Sequence, residues 1–124
     1  MTSTWTDSQL ATLAAQDELV VIVHREGNET KHVPIWLVVV EGAVYVRSYK
    51  GVGSLWFRRV QAHFDQAIEL DGGDGDVTFE NVDRLDHINH AISAEFTRKY
   101  ARFDYVTAMS EPAAIEATLR ILPR

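Results

Sequence analysis

Cysteine is absent from the chain. That excludes disulfides, thiolate catalysis, and cysteine-ligated zinc or iron–sulfur sites, and it fits a reducing cytoplasm, the expected location. Positive charge is also scarce: 12 Lys and Arg stand against 18 Asp and Glu, a formal net charge of −6. Duplex nucleic acid and anionic membrane surfaces are therefore poor candidates for the main partner. No long apolar run exists, the longest being Val33 to Val40, too short to cross a bilayer. The first residues, Met1 to Asp7, show neither a basic nor an apolar signal region. What remains has ordinary globular composition: 124 residues, 46% hydrophobic, the size of one domain with its own core.

Local signals give an element order. Thr6 and Gln9 have capping-box spacing ahead of Leu10, Leu13 and Ala14, predicting a short helix ending near Asp17. Leu19 to His24 is a β-branched run suited to a buried strand, and Glu26 to Thr30 reads as a turn. His32 to Val40 returns as a strand apolar on both faces. One face should look into a barrel and the other should be covered by a helix or a second subunit. Pro34 cannot donate to a ladder, which places it at an edge, a bulge or a barrel seam. Glu41-Gly42 is a hairpin turn into Ala43 to Ser48, where Val44 and Val46 alternate with Tyr45 and Arg47. Ser54 is the expected cap of a helix from Leu55 to His63. Strands at Ile68 to Leu70 and Val77 to Phe79 flank a turn over Asp71 to Asp76. A helix follows from Asp83 to about Arg102, with Leu85, Ile88, Ile92, Phe96 and Tyr100 on its apolar stripe, and Ala117 to Leu122 is a last strand. The pattern is α+β with a closed sheet.

Chemistry concentrates in Arg47-Ser48-Tyr49-Lys50-Gly51 and its continuation to Arg59. Two cations and a hydroxyl stand at a strand end, followed by glycines, the positive end of a helix, and Arg58-Arg59. Anion binding, of phosphate above all, calls for this set. A solvated hairpin end bearing surface cations would look the same. Asp86 and His90, four apart on the late helix, have metal-ligand spacing but no third ligand, so they read as a polar face and no metal is expected. Asp71 to Asp76 lacks the closing glutamate of a calcium loop. Ser48 has neither a nucleophile elbow nor a His-Asp pair around it, so no catalytic residue is identified.

The succession Val33-Pro34-Ile35-Trp36, Tyr45-Val46-Arg47-Ser48-Tyr49-Lys50-Gly51 and Trp56-Phe57-Arg58-Arg59-Val60 resembles the flavin and deazaflavin split-barrel superfamily. Arg98-Lys99-Tyr100 and the closing Thr118 to Arg124 resemble an uncharacterised bacterial branch of it, so that the likeness spans about Thr6 to Arg124. The resemblance implies a single six-stranded split β-barrel with flanking helices. It also implies a homodimer, with cofactor between subunits and phosphate at the strand–loop–helix junction. Carried over, Arg47, Ser48, Lys50, Gly51, Trp56 and Arg59 belong at the phosphate, and Pro34 and Trp36 near the ring, with Tyr49 available to stack. FMN is the implied cofactor and a deazaflavin the alternative. Two glutamates in the turn Arg25 to Thr30 weigh against the deazaflavin's anionic tail. The expected activity is a flavin-type oxidoreductase acting on a small molecule. A non-catalytic module holding a flavin, haem or other anionic ligand, or a cofactor-free dimeric scaffold, is the alternative.

Overall fold

A computed structural model describes residues 4–24 and 29–124; the expected turn residues 26–28 lie outside the described residues. The order is α1 (Asp7–Ala15), β1 (Leu19–His24), β2 (Thr30–Ile35), β3 (Leu37–Val40), β4 (Ala43–Arg47), α2 (Leu55–Ala62), β5 (Asp65–Leu70), β6 (Gly73–Asn81), α3 (Ile88–Lys99), α4 (Pro112–Glu116) and β7 (Thr118–Pro123). The strands form one antiparallel sheet in the order β2-β1-β5-β6-β7-β4-β3. Its two edge strands, β2 and β3, are consecutive in the chain with only Trp36 between them. A sheet whose first and last strands are one residue apart has to curl until its edges meet at that residue. The result is a half-barrel with flanking helices, α+β as expected.

Among the described residues the count is seven strands, not six. The single strand expected over His32 to Val40 breaks at Trp36, and its halves pair with different neighbours, β2 with β1 and β3 with β4. Pro34 lies on the edge strand β2, where a missing N–H costs least. Both hairpin turns take positive φ at two residues, Glu41-Gly42 and Asp71-Gly72. Two-residue loops favour this geometry because it matches strand twist. The second turn is shorter than Asp71 to Asp76, since pairing of Leu70 with Gly73 already starts β6.

Alternation along β3 and β4 separates two cores. Leu37, Val44 and Val46 join Leu13, Val21, Phe79 and Leu119 inside the barrel, and α1 adds Leu13 there behind the capping box of Thr6 and Gln9. Val38, Val40 and Tyr45 face outward against Ile92, Phe96 and Tyr100 of α3. The outer face of β3 is thus covered by the chain's own helix, and it gives no reason to invoke a second subunit. Helix α3 begins at Ile88 rather than Asp83. Asp83 and Asp86 instead turn their carboxylates back onto the N–H groups of Leu85 and Ile88. Leu85, expected on the apolar stripe, is exposed, and Asp86 precedes the helix that was to align it with His90. Among the described residues no three His, Asp or Glu side chains gather as a metal site, and no helix is long and apolar enough to cross a membrane.

The corner where the edges meet is fastened by Tyr100. Its hydroxyl accepts from the Leu37 N–H at 3.1 Å and lies 2.9 Å from the carbonyls of Leu37 and Asp17, while its ring stacks on Trp36 at 4.0 Å. Burial holds the phenol neutral, pushing its pKa up to about 12. A folded pKa raised above the unfolded value gives stability that is complete below pH 10 and is lost as pH rises toward 12. Tyr100→Phe is expected to cost about 1–2 kcal/mol near neutral pH. The gap between wild type and variant, read by urea unfolding, is expected to narrow between pH 10 and 12.

Candidate functional site

A cavity of about 570 Å³ opens beside the Trp36 corner, between β2, the end of β4 and the start of α2. That is the size of a small-molecule or cofactor site. Eight of the nine expected residues line it: Pro34, Trp36, Arg47, Ser48, Tyr49, Lys50, Trp56 and Arg59. The ninth, Gly51, does not. Its φ is +82°, and a side chain there would press on Ala113, so it closes the turn against α4 while Gly53 reaches the cavity.

Arg47 is 1% exposed, and all its donors are taken inside the protein. Nε donates to Thr118 Oγ1 at 2.8 Å, and Nη1 to Ser93 Oγ at 2.8 Å and the Met109 carbonyl at 2.9 Å. Nη2 donates to the Asn89 carbonyl at 3.3 Å and Oδ1 at 3.0 Å. Every acceptor is neutral. Burial pulls its pKa down to about 10, which leaves it a cation at neutral pH. Arg47 therefore contributes charge to the cavity wall and no free N–H. Ser48 is buried, with Oγ 2.7 Å from Ser54 Oγ. That contact diverts Ser54 from the capping role expected of it: no side chain caps α2, although its first turn faces the cavity. An uncapped helix start presents free N–H groups and the positive end of its dipole.

Tyr49 and Lys50 are exposed at the rim, whereas Trp56 and Arg59 are half-buried one turn apart on α2. The neighbouring aromatics Tyr45 and Phe57 are buried in the two cores and do not reach the cavity. Lys31, Glu18, Tyr105 and Met109 also line the cavity and were not singled out from the sequence. Strand period could have found Lys31, which shares a face with Val33 and Ile35; the other three carried no such signal. Among the described residues the cavity lining carries three cations outside any ion pair, Lys31, Lys50 and Arg59, and one carboxylate, Glu18. The four arginines that hold ion pairs among the described residues, Arg98, Arg102, Arg120 and Arg124, lie elsewhere. In a chain of net charge −6 the cavity is a local positive basin.

Residues 9–121 match the profile of an uncharacterized protein family conserved in bacteria, DUF2255. The chain belongs to that family. No curated protein matches this DUF2255 chain significantly. Solved structures share its fold at low identity. The haem storage protein HutZ from Vibrio cholerae superposes with TM-score 0.71 at 10% identity, over 95% of this chain and 89% of HutZ. A pyridoxamine 5′-phosphate oxidase-like protein from Listeria innocua gives 0.68 at 13%, over 95% and 92%. A FAD-binding protein from Mesorhizobium loti gives 0.56 at 14%, over 100% and 94%. The fold of this chain is the split barrel of these solved structures.

Replacing Arg47 by lysine keeps the charge but offers three donors from one nitrogen in place of a planar five-donor fork. Arg47→Lys is expected to lose about 2–4 kcal/mol of stability in urea unfolding, through acceptors left unpaired in the interior.

Proposed function

We propose that this protein binds FMN in the cavity beside Trp36 and works as a flavin-type oxidoreductase on a small molecule. The observation that carries the reading is the coincidence of an apolar cavity with an anion corner. Val23, Val33, Ile35, Leu55, Trp56 and Met109 supply walls for a planar ring. Lys50, Arg59, the Ser48–Ser54 hydroxyl pair and the uncapped start of α2 supply donors for a phosphate. When bound, FMN would supply the hydride and one-electron chemistry. The chain's own work is then to anchor, orient and exclude water. Arg47 belongs to this site as a fixed cation behind the wall, not as a phosphate ligand.

Haem is the ligand named for HutZ. Among the described residues no histidine or cysteine lines this cavity, and Met109, Tyr49 and Tyr105 are the only side chains of haem-ligating type in the lining, so a flavin is preferred here. A homodimer remains part of the proposal on new grounds. Tyr49, Leu55 and Tyr105 at the cavity mouth are 60%, 48% and 62% exposed, and a second copy would cover such a rim. Light scattering on the purified protein at micromolar concentration is expected to give twice the mass of the chain; a monomer removes the shared-site part of the reading. The proposed location is the cytoplasm.

The test is titration of purified protein with FMN and riboflavin, followed by flavin fluorescence and the visible band. FMN is expected to bind more tightly than riboflavin. Lys50→Ala and Arg59→Ala should each weaken FMN by about 1.5–3 kcal/mol and leave riboflavin nearly unchanged. Equal losses for both ligands would make these residues structural, and failure of FMN to bind would remove the reading. Bleaching of the bound flavin by NADPH would separate an enzyme from a carrier.

A further inference from the structure

The Trp36 indole stands in an aromatic stack whose two sides are built differently. On the inner side the Tyr100 ring lies 4.0 Å away and within 3° of parallel, fully buried and tied through its hydroxyl to the Leu37 N–H. On the outer side the Tyr105 ring lies 5.1 Å away at 21° and is 62% exposed. Among the described residues no hydrogen bond holds the Tyr105 hydroxyl, so ring contacts alone keep the side chain in place. Phe103 touches both rings from the side, tilted by 40° and 36°, and does not line the cavity. Ile35, Trp36 and Tyr105 all line it. A ligand ring lying against Ile35 therefore meets Tyr105 on the indole face that Tyr100 leaves uncovered. The backbone is fixed on both sides of Tyr105. The Val106 N–H donates to the Phe103 carbonyl at 3.3 Å, the Ala108 N–H donates to the Tyr105 carbonyl at 3.1 Å, and Val106 packs on the outer core. What can move is the side chain, and exposed side chains change rotamer within nanoseconds.

We propose that Tyr105 is a gate on this cavity. Its ring holds the Trp36 face when no ligand is bound, and a flat aromatic ligand takes that place while the phenol turns out to the mouth. The exchange selects by shape. A fused ring system covers more of an indole than one phenol does, and the gain grows with the area in contact. Displaced Tyr105 loses little, because most of its surface already meets water. A ligand without a flat ring gains nothing from the exchange and is held by the rest of the cavity alone. For flat ligands the binding-competent form is the one with the face open, so the gate weakens their apparent affinity by the fraction of time it is open. An aromatic pair of this kind sets that factor at about two- to tenfold. The gate rests on the reading above that a flat ring enters this cavity, but not on that ring being FMN.

The experiment uses the full chain without added cofactor and three probes: FMN, lumichrome (the flavin ring without its side chain) and ribitol 5-phosphate (the side chain without the ring). Binding is followed by calorimetry, and light scattering checks that every variant keeps the wild-type mass. Tyr105→Ala is expected to bind FMN and lumichrome about two- to tenfold more tightly and ribitol 5-phosphate unchanged. Tyr105→Phe keeps the ring and is expected to match the wild type, whereas Tyr105→Trp, a larger plate on Trp36, is expected to weaken both ring ligands. In the ligand-free protein, Tyr105→Ala should also make tryptophan emission easier to quench with acrylamide. Weaker or unchanged binding of the ring ligands to Tyr105→Ala, or an equal gain for ribitol 5-phosphate, overturns the gate. FMN binding that ignores residue 105 removes the gate and keeps the flavin reading. Lumichrome binding that follows the expected order in a protein that fails to bind FMN keeps the gate and removes FMN.

Discussion

Arg47 is the constraint around which the site is arranged. A guanidinium withdrawn from water without a carboxylate partner is costly, and here the cost is offset by five hydrogen bonds to three separate elements and by the Phe96 ring 5.7 Å away. Thr118 opens β7, Ser93 and Asn89 belong to α3, and Met109 lies in the segment between α3 and α4. Asn89 in turn donates to the carbonyls of Asp83 and Asp86, so the same network fixes the entry to α3. One side chain at the end of β4 therefore decides where α3 and the 106–110 turn sit against the barrel. Those positions set the back wall of the cavity and the place of Tyr105.

A second constraint is topological. Because β2 and β3 are edges joined through Trp36, the sheet closes at one corner and nowhere along the free lengths of those strands. Trp36, Tyr100 and the Leu37 backbone lock that corner by stacking and hydrogen bonds. The cavity lies beside it because β4, one register step past its Leu37–Val46 pair, ends there and releases Ser48 to Ser54 into the loop that starts α2. Closure of the barrel and assembly of the cavity's Ser48–Ser54 wall are thus two results of one chain path.

Much of this was legible in the residues. Capping at Thr6, hairpins at Glu41-Gly42 and Asp71-Gly72, and alternation on β4 are local signals with local causes. Nine of the thirteen residues from Arg47 to Arg59 reached the cavity because strand, loop and helix are contiguous, while Arg58 faces away from it. Long-range partners decided the rest. Nothing near Arg47 in sequence shows that its acceptors lie 42 to 71 residues away, which turned an expected phosphate ligand into an internal tie. Nothing near Ser54 shows that it would meet Ser48 instead of capping α2. Trp36 read as the middle of one strand, and only the pairing of its two sides with different strands makes it a corner. Glu18 and Tyr105 come from turns, where no periodicity points at a cavity.

The central claim is that a phosphorylated flavin lies in this cavity with its phosphate at the start of α2. The most direct measurement is a crystal structure of the protein with FMN. The account predicts phosphate oxygens within hydrogen-bond reach of Lys50, Ser54 and the first N–H groups of α2, the ring against Trp56 and Ile35, and Arg47 still bound to Thr118, Ser93, Met109 and Asn89. Phosphate held elsewhere on the chain, or Arg47 drawn out of its internal network to reach it, would contradict it.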